Sequence, residues 1–305
     1  MYYKSLNEIA EAVKSAKSNK RVAVAAAEDE HVLNAVMYAK KEGGINPILV
    51  GNKNKIKDLL AHMSGSVDDQ DIFDSNSVEE SAALAVKLIK DHKADFIMKG
   101  MLHTSTLFKA ILNKEMGLCD SGLITHFTLM ELPKYHKLVA FSDIGLVISP
   151  TLQQKKVIIE NAVRTLRSMG IDKPKVAVLT AVEEVNPKMP ETVDAKELKE
   201  MSMRGEILDC IIEGPVSFDI AANKEKAKIK GFSSEVVGDV DLYIVPSVVT
   251  GNVLVKALKE YAGAKTVGLA VGAKVPIIVS SRATSENEKY LSIMTCAAME
   301  TNTLN

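Results

Sequence analysis

Residues able to handle an anion and a proton gather at one point in this sequence. Ser281, Arg282 and Glu288 follow the short apolar run Pro276-Ile277-Ile278-Val279. A hydroxyl can donate to a developing charge, and a carboxylate can take a proton. The planar guanidinium fork can give two parallel hydrogen bonds to a phosphate. A second set follows Asp95-Phe96-Ile97-Met98: Lys99, Gly100, then Thr104, Ser105, Thr106 and Lys109. Three further groups come after other strand-like runs: Asn186 and Lys188 in a loop with two prolines, Asp219, and Thr250-Gly251-Asn252, where glycine lets a ligand approach the backbone closely. Each set has a plain structural reading as well. Ser285 with Glu288 three residues on is a capping box. Thr104 or Ser105 fits an ordinary N-cap. Ser281 fits a turn, and Arg282 a surface charge. The residues alone leave both readings open.

The elements that must position these groups alternate. A helix over 5–18 is followed by a strand over 22–27, a helix to about residue 41, and a strand over 47–50. Helices near 53–62 and 77–92 flank a short strand near Ile72, and a strand over 95–98 ends at Lys99-Gly100. Further on, strands are expected at 127–132, 138–141, 175–180, 210–212, 241–246 and 266–271. Helices are expected at 151–169, 194–204, 250–261 and 285–299. Alternating strands and helices imply a mostly parallel sheet covered on both faces. In such sheets ligands bind at the carboxyl ends of strands, beside helix N-termini that present free N–H groups. The polar sets sit where that rule places a site.

Composition bounds the rest. The 305 residues are 47% hydrophobic and 25% charged, with a formal net charge of −1. This suits one large or two medium globular domains and gives no electrostatic case for nucleic acid or an anionic membrane. No apolar run approaches the roughly 20 residues of a membrane span, and the first residues lack the apolar core of a signal peptide, so cytoplasm is the expectation. Cys119, Cys210 and Cys296 are far apart and fit small buried hydrophobes. The six histidines show no ligand spacing, so no protein-bound metal is expected. Neither GxGxxG nor GxxxxGK[ST] is present, so neither dinucleotide fingerprint nor P-loop is indicated.

The segments MKGMLHTSTLFKAILNKE from Met98, NPKMPETVDA from Asn186, EGPVSFDIA from Glu213, GDVDLYIVPSVVTGNVLVKALKEYAG from Gly238 and VGAKVPIIVSSRATSENEK from Val271 resemble the phosphate acetyl/butyryltransferase family, its butyryl branch above all. The likeness covers nearly the whole chain. It implies a three-layer αβα architecture related to isocitrate and isopropylmalate dehydrogenases. Subdomain I would be 1–126 plus 268–305, subdomain II 127–267, with the active site in the cleft between them. It also implies transfer of a butyryl or other short acyl group between coenzyme A and phosphate, without a covalent acyl-enzyme. Acyl-CoA, phosphate and acyl phosphate would be the partners, with no permanently bound cofactor and a homodimer or larger homo-oligomer.

At the matching positions, Glu288 would take the thiol proton, Ser281 would bond the developing charge, and Arg282 would hold the phosphoryl group. Lys99, Gly100, Thr104, Ser105, Thr106, Lys109, Asn186, Lys188, Asp219, Thr250, Gly251 and Asn252 would bind substrate. Four positions depart from the usual pattern. Glu288 stands for Asp of the acetyl-specific relatives, Lys109 for Arg, Cys119-Asp120 for Arg-Thr, and Val147 for Asn. Two rivals remain: a relative that binds acyl-CoA or acyl phosphate with weak turnover, and an NAD-dependent oxidoreductase of the related fold.

Overall fold

The computed structural model describes residues 3–119, 122–280 and 284–300. In chain order the elements are α1 (Leu6–Ser15), β1 (Arg21–Ala25), α2 (Glu30–Lys41), β2 (Asn46–Gly51), α3 (Lys53–His62), β3 (Ile72–Asp74), α4 (Val78–Lys90), β4 (Phe96–Lys99) and α5 (Thr104–Ile111). Then come β5 (Thr125–Glu131), β6 (Val139–Ser142), α6 (Leu152–Ser168), β7 (Lys175–Leu179), α7 (Pro190–Met203), β8 (Ile211–Val216), α8 (Phe218–Ala222) and α9 (Lys224–Ile229). The chain continues through β9 (Leu242–Ile244), α10 (Val248–Ala262), β10 (Lys265–Val271), β11 (Ile277–Ile278) and α11 (Glu286–Ala298). The expected α/β class is what the chain adopts. It divides into two compact units, one of Leu6–Ile124 with the chain from Val267 on, the other of Thr125–Thr266 with residues 3–5.

In the first unit the strand order is β3-β2-β1-β4-β11-β10. All pairs are parallel except β10 with β11. β1 and β4 are apolar and almost continuously buried, as strands covered on both faces must be. α11 packs on α1 and on α2, and α4 packs on α5 and on β1, β2 and β4. β11 has only two residues. It lies between β4 and β10, pairing Ile277 with Ile97 and Ile278 with Met98 on one side and Ile278 with Leu269 on the other.

The second unit has the order β5-β6-β9-β7-β8. β5 and β6 form an antiparallel pair, and β6–β9, β9–β7 and β7–β8 are parallel. Its buried charges are satisfied by protein groups. Lys137, 5% exposed, pairs with Asp241 at 2.6 Å and Asp239 at 2.9 Å. Lys155, also 5% exposed, pairs with Asp194 at 2.6 Å. Asp143 accepts the backbone N–H groups of His126, Gly145 and Leu146 at 2.7, 2.8 and 2.8 Å. Burial pushes the Asp239 carboxyl up, but hydrogen bonds from Lys175, Lys137 and His136 outweigh it and hold the group well below the usual carboxylate range.

Three boundaries differ from the sequence expectation. The strand expected over 276–279 is only Ile277–Ile278. β8 runs through Val216, so Glu213, Gly214 and Pro215 lie inside the strand and not beyond its end. Pro215 is tolerated because β8 is the last strand in its order, where a missing N–H breaks no ladder. α7 begins at Pro190 and not near Asp194, because proline's fixed φ suits the first turn of a helix.

Candidate active site

A cavity of 710 Å³ opens in the first unit where β1, β4 and β11 end. These strands run parallel and in register, so their carboxyl ends deliver their following residues to one edge. Asp29 and His31 come from the start of α2, Lys99 from the end of β4, His103 from the β4–α5 connection, Ser280 from just after β11, and Lys289 from α11. Two helix starts face it. Asp29 caps α2 by accepting the Val32 N–H at 2.9 Å. α5 begins after His103, which makes no side-chain capping bond. Its first-turn N–H groups therefore suit an anion.

Two lysines line the cavity. Lys99 Nζ donates to the carbonyls of Leu102 at 3.0 Å and Gly100 at 3.2 Å. Lys289 is 4% exposed, and its Nζ donates to the Thr284 carbonyl at 2.5 Å. Glu286 fixes the start of α11 to α2 through His31 Nδ1 and Asn34 Nδ2, both at 3.2 Å. The His31 bond, then the Asn34 bond, hold its carboxyl below the ordinary value, with Lys289 adding charge.

Of the residues singled out from sequence, Lys99 and Gly100 are cavity walls. Gly100 has a packing reason too: a Cβ there would lie 2.1 Å from the Ala26 carbonyl oxygen. Thr104, Ser105 and Thr106 form the first turn of α5. The cap there is His103, not Thr104 or Ser105, because Thr104 is already helical. Lys109 lies further along α5, on its exposed surface. Glu288 forms the capping box with Ser285: Ser285 Oγ accepts the Glu288 N–H, and Glu288 Oε2 accepts the Ser285 N–H, each at 3.2 Å. Ser281 and Arg282 lie outside the described residues.

The remaining residues belong to the second unit and have local partners. Asn186 Oδ1 accepts the Lys188 N–H at 2.9 Å, and the Asn186 N–H donates to Thr192 Oγ1 at 2.9 Å. The NPKMP segment is thus a turn leading into α7, with Lys188 exposed. Asp219 accepts from Ser217 Oγ at 2.9 Å, and this bond holds its carboxyl below the ordinary value. The same hydroxyl bonds Glu183. Thr250 is in the first turn of α10, its N–H donating to the cap Ser247 at 3.4 Å. A Cβ on Gly251 would lie 2.7 Å from Val245 and 2.8 Å from Ile144, so close helix–strand packing accounts for this glycine. Asn252 Nδ2 donates to the Ile144 carbonyl at 3.3 Å.

The sequence reading did not select Asp29, His31, His103, Ser280 or Lys289. For Asp29 and His31 the signal was present, since they follow β1 as Lys99 follows β4. Lys289 carried none, because a lysine in a helical stretch reads as a solvated charge.

The chain matches the family described as phosphate acetyl/butaryl transferase over residues 5–83 and 74–297. It is 40% identical over 299 residues to the phosphate butyryltransferase of Clostridium acetobutylicum, covering 98% of this chain and 99% of that protein. Among solved structures it is similar to a branched-chain phosphotransacylase from Enterococcus faecalis, at 29% identity and a TM-score of 0.79, covering 92% of this chain and 100% of that one. It shares its fold alone with a 4-hydroxythreonine-4-phosphate dehydrogenase from Burkholderia phymatum, at 15% identity, a TM-score of 0.57, and coverage of 92% and 99%. A full-length relative at this identity and a family match across the chain place the protein in the phosphate acetyl/butyryltransferase family.

Proposed function

We propose that the protein is a phosphate acyltransferase catalysing acyl-CoA + phosphate ⇌ acyl phosphate + CoA, with butyryl or another short chain as the acyl group. In the direction of thioester synthesis, Glu288 takes the thiol proton of coenzyme A. The sulfur attacks the acyl carbonyl, the S–C bond forms, and the C–O bond to phosphorus breaks with its electron pair left on the phosphate oxygen. Ser281 bonds the carbonyl oxygen as charge develops there, and Arg282 holds the leaving phosphoryl group. A thiol with a pKa of about 8.5 needs such a base near neutral pH, and a phosphoryl leaving group needs a cation.

The observation that carries this reading is the cavity at the ends of β1, β4 and β11, with Lys99 and Lys289 in its walls, in a chain of this family. In the second unit, Asn186, Lys188, Asp219, Thr250, Gly251 and Asn252 are proposed to bind substrate, and so are Thr104, Ser105, Thr106 and Lys109 in the first. No helix among the described residues is long and apolar enough to cross a membrane. A cytoplasmic homodimer that uses coenzyme A as substrate and keeps no cofactor is the form proposed, and light scattering tests the dimer.

The test follows phosphate-dependent thiol release from acetyl-, butyryl- and isobutyryl-CoA. Wild type should release CoA, Arg282→Ala should abolish release, and the best substrate names the acyl class. Glu288→Gln separates base from cap, because glutamine at this position still closes a capping box. Activity should fall at least a hundredfold with melting temperature unchanged. Wild type that releases no thiol from any of the three would overturn the reading.

A further inference from the structure

We propose that Lys289 binds the phosphoryl group in the cavity, as a cation in contact with substrate and not as part of the scaffold. The inference rests on the acyl-transfer reading of the same site.

An ammonium out of water is costly unless a carboxylate or a full set of acceptors meets it. Three lysines are buried among the described residues: Lys137, Lys155 and Lys289. Lys137 has Asp241 and Asp239, and Lys155 has Asp194. Lys289 has one neutral acceptor, the Thr284 carbonyl, and no carboxylate ion pair among the described residues. An ammonium has three N–H donors, so the Thr284 bond leaves capacity at the cavity wall it helps form. The two acids on its own helix are engaged elsewhere: Glu286 is held by His31 and Asn34, and Glu288, the residue before it, closes the capping box with Ser285.

The neighbours select an anion as the missing partner. Lys99 adds a second ammonium to the walls, bonded to carbonyls. α5 adds a helix start without a side-chain cap. Asp29, the acid in the wall, is used by the α2 cap. Ser280, also in the wall, directly precedes the Ser281-Arg282 pair proposed to hold the reacting groups. This places Lys289 with the phosphoryl group and not with the phosphates of coenzyme A.

Binding of inorganic phosphate by calorimetry, and steady-state kinetics with butyryl-CoA and phosphate, test this on wild type, Lys289→Met and Lys289→Arg. Lys289→Met should weaken phosphate binding and raise the phosphate KM at least tenfold, with the butyryl-CoA KM within twofold of wild type. Lys289→Arg should recover most of the loss. Unchanged phosphate binding in folded Lys289→Met would overturn the proposal. So would a rise in the butyryl-CoA KM alone, an equal rise in both KM values, or wild type that binds no phosphate. If Lys289→Met fails to fold, Lys289→Gln replaces it, and failure of both marks the lysine as structural and also overturns the proposal. Wild type that binds phosphate but transfers no acyl group would sink the proposed function, while the calorimetric difference between wild type and Lys289→Met would still uphold the assignment.

Discussion

The two units treat buried charge in opposite ways. In the Thr125–Thr266 unit, Lys137 and Lys155 are closed into ion pairs, and Asp143 is closed by three backbone N–H groups. In the unit built from Leu6–Ile124 and the chain after Val267, Lys289 meets a carbonyl and a cavity. A satisfied buried charge adds to the scaffold only as much as its partner returns. An unsatisfied one reports a place where the scaffold is incomplete until something binds. The same residue type at the same depth thus carries different meaning, and the partner list separates the two.

The largest effect that would break this contrast is on stability. Lys137→Met leaves Asp241, which is 1% exposed, with the Lys175 N–H but without the Lys137 cation, and should cost about 3–5 kcal/mol in urea unfolding. Lys289→Met removes a lone buried charge and should leave stability without phosphate unchanged or raised. Equal losses in the two variants would erase the distinction. Next, phosphate at a hundred times its Kd should stabilise wild type by about 2.7 kcal/mol and Lys289→Met far less, as read by thermal unfolding.

Acid gives a third comparison. Asp239 titrates lower folded than unfolded. Its contribution is therefore complete above the ordinary carboxylate range and is lost as pH falls through that range towards the folded value. The stability gap between wild type and Asp239→Asn should be full at pH 7 and shrink below about pH 4. A gap that stays constant to pH 2 would contradict the pairing. Smallest is the cap: Ser285→Ala should cost about 1 kcal/mol. If it also lowers activity far more than that loss explains, the start of α11 positions Glu288 as well as ending a helix.

Much of this was legible in the sequence, for identifiable reasons. Apolar runs marked the strands, and the capping pair Ser285–Glu288 is present as read. The rule that sites lie at strand carboxyl ends led to Lys99 and Gly100, which line the cavity. It did not lead to Lys289, which stands in the sequence simply as a charge within the helix expected at 285–299. The helix is in fact buried from Lys289 to Ala297, held against α1 and α2. Polar residues survive there by bonding their own helix: Ser292 Oγ donates to the Glu288 carbonyl at 2.7 Å and Thr295 Oγ1 to that of Leu291 at 2.8 Å. One-dimensional periodicity cannot reveal a helix wrapped on most sides, since the enclosing elements come from elsewhere in the chain. The strand expected at 210–212 and the helix expected at 194–204 stop short of Pro215 and Pro190, which an edge strand and a first helical turn accept.

The two-residue strand β11 bears on how the protein is made. It is parallel to β4 and separates it from β10, yet the ribosome delivers it roughly 180 residues after β4, which at 5–20 residues per second takes about 10 to 40 s. During that interval the nascent first unit holds β4 with one open edge, and the lysine and the capped helix of the cavity have not been synthesised. The other unit is complete once residue 266 has been made and has no such wait. Translation therefore completes the scaffold of paired charges first and the cavity walls last, so a stalled or shortened product carries an open strand edge and an unfinished cavity.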